Sequence, residues 1–166
     1  MLTKLEYEKN LERIHEWIRV VDQKIGIFLA LQGVVITLFF PRLLSWLSDN
    51  YNRLNFLGWL FISIGVIYIF CALIKSILAL IPRLKNSDKE KSITYFGDIA
   101  EMTFEDFKRE LVNLNEKDYE NELIKQIYIS AIIAKEKHLQ FRESIIGFII
   151  GGAILGLFFT CIVLNL

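Results

Sequence analysis

Histidine and cysteine are scarce in this 166-residue sequence, which contains two of each. His15 and His138 are far apart, and no histidines or cysteines occur at the spacing of metal ligands. The sequence also lacks a glycine-rich phosphate loop and a serine in a nucleophile elbow. We therefore expect no metal site and no catalytic residues, and we predict that the protein is not an enzyme.

An excess of positive charge is missing as well, because 19 lysines and arginines balance 19 aspartates and glutamates. Binding to nucleic acid generally depends on a basic surface, which a neutral chain does not provide overall. We expect no nucleic-acid partner, although a local cluster of basic residues could still bind an anion.

Apolar residues, in contrast, make up 54% of the chain, and three long runs contain few polar residues. These runs are 25–40, 56–74 and 144–164, and each approaches the roughly 20 residues that cross a bilayer core about 30 Å thick. Their continuity favours helices over the alternating pattern of a membrane barrel. The sequence thus predicts an all-α integral membrane protein with three transmembrane helices and lipid as its surroundings.

The distribution of basic residues predicts the orientation of these helices. Lysine and arginine are frequent before residue 25 and between 82 and 143, whereas the loop 41–55 contains only Arg42 and Arg53. Because basic loops stay in the cytoplasm, we expect a cytoplasmic N-terminus and an external C-terminus. The N-terminal arm is charged for some two dozen residues, which argues against a cleaved signal peptide.

The chain divides into six predicted segments. They are a cytoplasmic amphipathic helix (1–24) continuous with the first transmembrane helix (25–40), an external loop (41–55), the second transmembrane helix (56–81), a cytoplasmic connector and stalk helix (82–143), and the third transmembrane helix (144–164). Proline occurs twice, and we expect Pro41 to end the first helix. In the connector, Thr103 and Asp106 predict a capped helix over 104–114, and residues 92–99 are predicted to form an extended segment or ordered loop.

Two apolar stripes at helical spacing predict where the long helices pack. The stripe in the first helix contains Leu11, Ile14, Ile18, Val21, Ile25, Phe28, Gln32 and Val35. The stripe in the stalk contains Leu123, Ile127, Ala131, Ala134, His138, Phe141 and Ile145. Gln32 is costly toward lipid, so we expect it to face another helix or a wet lumen.

Glycines in the third apolar run are spaced for close helix packing. Gly147 with Gly151, and Gly152 with Gly156, form two pairs of the small-x-x-x-small type, which lets helix backbones approach. Such pairs are compatible with contacts within one subunit or between subunits. We predict a homo-oligomer, with helix contacts at Ile18, Gln32, Gly147, Gly151, Gly152 and Gly156.

Four short motifs resemble the Pycsar membrane effector family. They are VDQKIG at 21–26 before an apolar run, LIPRL at 80–84, YFGDIA at 95–100, and Gln126 and Ile127 with Ser130 and Lys137 on the stalk. The resemblance covers nearly the whole chain. It implies an antiphage defence protein that works with a partner pyrimidine cyclase. When cyclic UMP or cyclic CMP appears, such an effector is expected to impair the inner membrane and cause growth arrest or abortive infection.

The resemblance implies no prosthetic group, but it implies a site for the activating nucleotide. Such a site needs a cation for the phosphate, an aromatic ring for stacking and polar groups for ribose and base. The candidates, in that order, are Lys24 or Arg83, Tyr95 or Phe96, and Asp98 or Gln126. Each residue also has a purely structural interpretation, as a helix anchor, a core residue or a turn cap.

Two other functions remain open on the sequence alone. The chain could be a constitutive structural or accessory membrane subunit that assembles through its helices. It could also be a small membrane enzyme, which would require a polar pocket with an activated nucleophile or base.

Overall fold

The computed structural model describes residues 3–81, 92–93 and 96–164, and these residues form helices without any strand. The elements are α1 (Lys4–Asn50), a 3₁₀ turn (Tyr51–Arg53), α2 (Phe56–Leu80), α3 (Phe96–Ala100), α4 (Phe104–Asn113) and α5 (Glu116–Leu164). The predicted all-α fold is confirmed. Helices α1, α2 and α5 are long and apolar enough to cross a membrane, as expected from the three apolar runs.

The chain forms two compact units, which we describe separately. The connector unit contains the described residues of 1–20 and 82–136, and the membrane unit contains those of 21–81 and 137–166. Helices α1 and α5 supply residues to both units without a break in the helix.

Helix α1 continues through Pro41 to Asn50, so the prediction that Pro41 ends this helix is wrong. A proline removes one backbone hydrogen bond, but an apolar helix tolerates that loss when packing on both sides of the proline fixes the chain. Leu43, two residues later, is buried and provides such packing. The chain reverses after Asn50, whose side-chain amide donates a 3.0 Å hydrogen bond to the Trp46 carbonyl. The loop predicted at 41–55 is therefore helical over its first ten residues.

The membrane unit packs its helices through a small core. Val21 and Ile25 of α1 lie against Ala79 of α2, and Phe141 of α5 packs on this cluster. Val21 and Ile25 were predicted from the apolar stripe of the first helix. The outer surface remains apolar, with Ile27 exposed by 73% and Ile149 by 63%, as expected for side chains that face lipid.

Helices α2 and α5 approach each other closely at a pair of glycines. A Cβ atom on Gly151 would lie 2.8 Å from the carbonyl oxygen of Gly65, and one on Gly65 would lie 2.7 Å from Leu155 Cγ. Any larger side chain would separate the two helices. The small residues at this crossing therefore set the distance between the two backbones.

The connector unit contains the capped helix that the sequence predicts. Thr103 Oγ1 accepts a 3.2 Å hydrogen bond from the backbone N–H of Asp106, and α4 ends at Asn113, one residue earlier than predicted. Residues 96–99 belong to the short helix α3, so the prediction of an extended segment or loop is wrong there. Bonds from the N–H groups of Glu101 and Met102 to the carbonyls of Asp98 and Ile99 close this turn.

Candidate functional site: polar contacts of the fifth helix

Helix α5 buries polar side chains at positions next to the apolar stripe that the sequence predicts. Ala131 and His138, which were predicted to pack, are exposed, whereas Ser130, Lys137 and Ser144 are buried. These three residues recur every seven positions, a spacing that keeps them on one side of a helix. The prediction was wrong at Ala131 and His138, whereas Leu123 and Ala134 of the same stripe are buried. Apolar periodicity cannot identify polar residues that are buried with a partner.

A polar cluster of the connector unit surrounds Ser92, which is 1% exposed. Its backbone N–H donates to Asp98 Oδ2 at 2.8 Å, and its hydroxyl donates to Glu122 Oε2 at 2.6 Å. The same hydroxyl accepts a 3.3 Å bond from Gln126 Nε2. We call Ser92, Asp98, Glu122 and Gln126 the Ser92 cluster. It combines two carboxylates, an amide and a hydroxyl on three chain segments.

The N-terminal part of α1 contacts α5 at three further places in the connector unit. His15 Nε2 and Ser130 Oγ are 3.3 Å apart, and Tyr119 donates a 3.3 Å hydrogen bond to Glu8 Oε1. Lys4 Nζ lies 4.5 Å from the centre of the Tyr119 ring. The pKa of Tyr119 is raised above its ordinary value of 10.0. Burial is the largest cause, and the negative charge of Glu8 and the hydrogen bond to it contribute less.

The membrane unit contains an ion pair between Lys137 and Asp22, with Nζ and Oδ1 2.5 Å apart. The lysine side chain is 11% exposed and the aspartate side chain 36%, so the ammonium group is the more buried partner. Lys75 and Glu143 form a second, more exposed ion pair.

A buried polar network lies farther along the three membrane helices. Ser144 Oγ donates to the Ala72 carbonyl at 2.7 Å and lies 2.6 Å from Ser76 Oγ. Gln32, fully buried, donates from Nε2 to Ser144 Oγ at 3.4 Å, while its Oε1 atom has no hydrogen-bond partner within the described part of the chain. The network thus joins one polar residue from each of the three long helices, Gln32, Ser76 and Ser144.

The structure brings together two of the six predicted ligand residues. Asp98 and Gln126 both bond to Ser92, whereas Lys24 is exposed in the membrane unit. Arg83 and Tyr95 lie outside the described residues, as does the Phe96 side chain. Sequence reasoning missed Ser92 and Glu122. A signal for Glu122 was its position one helical turn before Gln126, which places both side chains on one face.

The predicted contact residues have different surroundings. A Cβ atom on Gly147 would lie within van der Waals distance of Ala72, and Gly151 lies against Gly65, so both face α2 of the same chain. A Cβ atom on Gly152 or Gly156 would meet no described atom within 4 Å, so these two glycines face open space. Ile18 is half-buried in the connector unit. Among the described residues, no group of three or more His, Cys, Asp or Glu side chains could hold a metal ion.

These contacts define a class of protein: an all-helical membrane protein with three long apolar helices and a small, polar connector unit. The family described as the Pycsar effector protein domain, PycTM, matches residues 6–164. The chain therefore belongs to the Pycsar effector family, whose members act in antiphage defence.

One relative is the Pycsar effector protein GmPycTM of Gulbenkiania mobilis. It is 25% identical over 164 residues, and the alignment covers 86% of this chain and 84% of that protein. No solved structure matches the chain significantly.

Proposed function

We propose that this protein is activated by a cyclic pyrimidine nucleotide, cyclic UMP or cyclic CMP, and then impairs the bacterial inner membrane. The nucleotide would come from a partner pyrimidine cyclase, and the outcome for the cell is growth arrest or abortive infection. The observation that carries the proposal, beyond family membership, is the convergence of Asp98 and Gln126 on Ser92.

The Ser92 cluster has the groups that recognise a nucleoside. Carboxylates accept hydrogen bonds from ribose hydroxyls and from N–H groups of a base, and an amide both donates to and accepts from a pyrimidine edge. In this structure these groups bond to Ser92. We propose that the nucleotide replaces some of these internal bonds. Arg83 and Tyr95 remain our candidates for the phosphate and for stacking.

Continuous helices support a mechanical link between nucleotide binding and the membrane. Helices α1 and α5 contribute to both units, so a shift of either helix in the connector unit continues into an apolar span. To move a population from about 1:99 to 99:1, the ligand must favour the active state by roughly 5.5 kcal/mol. Several sites in one assembly would supply this free energy more easily than a single site.

A homo-oligomer is therefore part of the proposal. Gly152 and Gly156 face open space and would let a second helix approach α5 closely. Gly152→Leu should lower the subunit number measured by mass photometry, and Ile18→Asp tests the half-buried stripe of α1 in the same way. Unchanged subunit numbers in both variants would contradict assembly through these residues.

The proposed orientation has a cytoplasmic N-terminus and connector unit and an external C-terminus. In a background without native cysteines, Asn50→Cys should react with a membrane-impermeant maleimide added outside intact cells. Ser87→Cys should react only after the cells are opened. The opposite pattern would overturn this orientation.

The decisive test of the function measures membrane potential with a dye in liposomes that contain the purified protein, with and without cyclic UMP or cyclic CMP. We expect depolarisation only with the nucleotide. Glu122→Gln should weaken the response, whereas Glu120→Gln, a matched change on the same helix outside the Ser92 cluster, should not. A thermal-shift measurement on the same variants separates lost binding from lost coupling, because ligand binding raises stability.

If neither cyclic nucleotide changes the permeability of liposomes that contain correctly inserted protein, activation by a nucleotide is contradicted. Arg83→Ala should also reduce activation, and Lys89→Ala should leave it unchanged. The constitutive accessory-subunit interpretation would then take the place of the gated effector.

A further inference from the structure

A cavity of about 680 Å³ lies at the end of the membrane unit where α1 ends and α2 begins. Residues near the end of α5 also line this cavity. Its volume falls within the range of about 300–1,000 Å³ that is usual for small-molecule sites. Its lining includes Trp46, Arg53, Asn55, Phe61, Leu157 and Phe158.

The lining of this cavity is apolar and aromatic where α2 and α5 supply it, and mostly polar where the chain reversal between α1 and α2 supplies it. Phe61, Leu157 and Phe158 supply apolar surface, and the Trp46 ring packs edge-on against Phe158 at a centroid distance of 6.0 Å. Arg53 and Asn55 supply the polar end. A cavity with this division matches an amphiphile, because each part of the ligand would meet groups of its own polarity.

The polar end keeps donors available. Asn55 Oδ1 accepts a 2.9 Å bond from the Gly58 N–H, which caps α2, but its Nδ2 group has no partner in the described part of the chain. No described carboxylate forms an ion pair with the Arg53 guanidinium. An arginine and an amide N–H group together suit a phosphate, which accepts hydrogen bonds from both.

The position of the cavity fits the boundary between hydrocarbon and headgroups. The Tyr51 and Trp59 rings stack edge-on at 5.9 Å beside the chain reversal, and such aromatic side chains are enriched at membrane interfaces. Phe56, directly after the reversal, begins the apolar helix α2. Arg53 would thus lie at headgroup level, with the apolar walls at acyl-chain level.

We infer that this cavity binds a phospholipid with an anionic headgroup, with one acyl chain along the apolar walls and the phosphate at Arg53 and Asn55. The site is separate from the Ser92 cluster, and its occupation requires membrane insertion but no nucleotide. Evidence against lipid binding in this cavity would therefore leave the proposed nucleotide response standing. Evidence against the nucleotide response would likewise leave the lipid site standing.

Fluorescence quenching by brominated lipid tests the site in the full chain. Trp17→Phe and Trp59→Phe leave Trp46 as the single reporter, and the protein is reconstituted in vesicles of phosphatidylcholine or phosphatidylglycerol with brominated acyl chains. We expect brominated phosphatidylglycerol to associate about fivefold more strongly, the effect of one basic residue near an anionic lipid.

Substitutions at two arginines provide the comparison. Arg53→Gln should abolish the fivefold preference, and Arg53→Lys should retain part of it because the charge remains. Arg42→Gln removes the other basic residue of the 41–55 segment and should leave the preference unchanged, since Arg42 does not line the cavity.

Two results would overturn the inference. Equal quenching by both lipids, unaffected by Arg53→Gln, would mean that only ordinary surrounding lipid contacts Trp46. An absence of quenching by either lipid would mean that protein, such as a second copy of this chain, fills the cavity.

Discussion

Loss of Asp22 should destabilise the protein more than loss of Lys137, although both changes break the same ion pair. The lysine side chain is 11% exposed and the aspartate side chain 36%. Asp22→Ala therefore leaves a nearly buried ammonium group without its counter-charge, whereas Lys137→Met leaves a carboxylate that water still reaches.

The magnitude lies between two limits. Removing one partner of a fully buried pair costs about 3–5 kcal/mol, whereas exposed pairs contribute about 0–1 kcal/mol. We expect about 2–3 kcal/mol for Asp22→Ala and about 1 kcal/mol for Lys137→Met. For a chain of this size each kcal/mol lowers the unfolding midpoint by about 2–4 °C.

Thermal unfolding in detergent, followed by tryptophan fluorescence, measures these shifts. The exchanged pair Asp22→Lys with Lys137→Asp should recover part of the lost stability, because the attraction returns in the opposite sense. Arg19→Ala, which breaks an exposed contact with Glu16 in α1, serves as the matched control and should shift the midpoint little. Equal losses for the two single changes, with no recovery in the exchange, would refute the reasoning.

Three further predictions concern single groups. Gln32→Leu removes a buried carbonyl oxygen that lacks a partner in the described part of the chain, so the unfolding midpoint in detergent should rise by about 2–8 °C, equivalent to about 1–2 kcal/mol; a lower midpoint would contradict the packing. Gly151→Ala should lower stability by about 1–3 kcal/mol through overpacking, whereas Gly152→Ala should not, because only the first Cβ would meet α2; equal effects in detergent unfolding would disprove this difference. The pKa of Tyr119 is raised in the folded state, so its contribution to stability is complete below about pH 10 and is lost as the pH rises through the folded pKa. Between about pH 8 and pH 11, the unfolding midpoint of Tyr119→Phe should therefore fall less steeply than that of the unchanged protein.

The sequence predicts the long helices well because their signal is local. A run such as FLGWLFISIGVIYIF needs no distant partner to favour a membrane helix, and α2 begins at Phe56 as predicted. The cap of α4 is local as well, since Thr103 and Asp106 are three residues apart. Features of this kind can be identified from short windows of sequence.

The polar contacts could not be predicted in the same way because their partners are distant. Ser92 and Glu122 are 30 residues apart, and Gln32 and Ser144 are 112 residues apart. An isolated serine on α5 gives no indication that it is buried. Pro41 shows the same limit, because local rules predict a helix end where the packing of Leu43 favours continuation.

The contacts between α1 and α5 also fix the alignment of these two helices. In the connector unit Glu8 contacts Tyr119 and His15 contacts Ser130, so the two helices run parallel there. They also run parallel in the membrane unit, where Asp22 contacts Lys137 and Gln32 contacts Ser144. Sliding α5 by seven residues would bring the Lys137 ammonium opposite His15 instead of a carboxylate. A polar residue at a packed position of two parallel helices selects one register in this way. We therefore expect the proposed activation to proceed without a lengthwise slip of α5 along α1, since a slip would break these contacts at once.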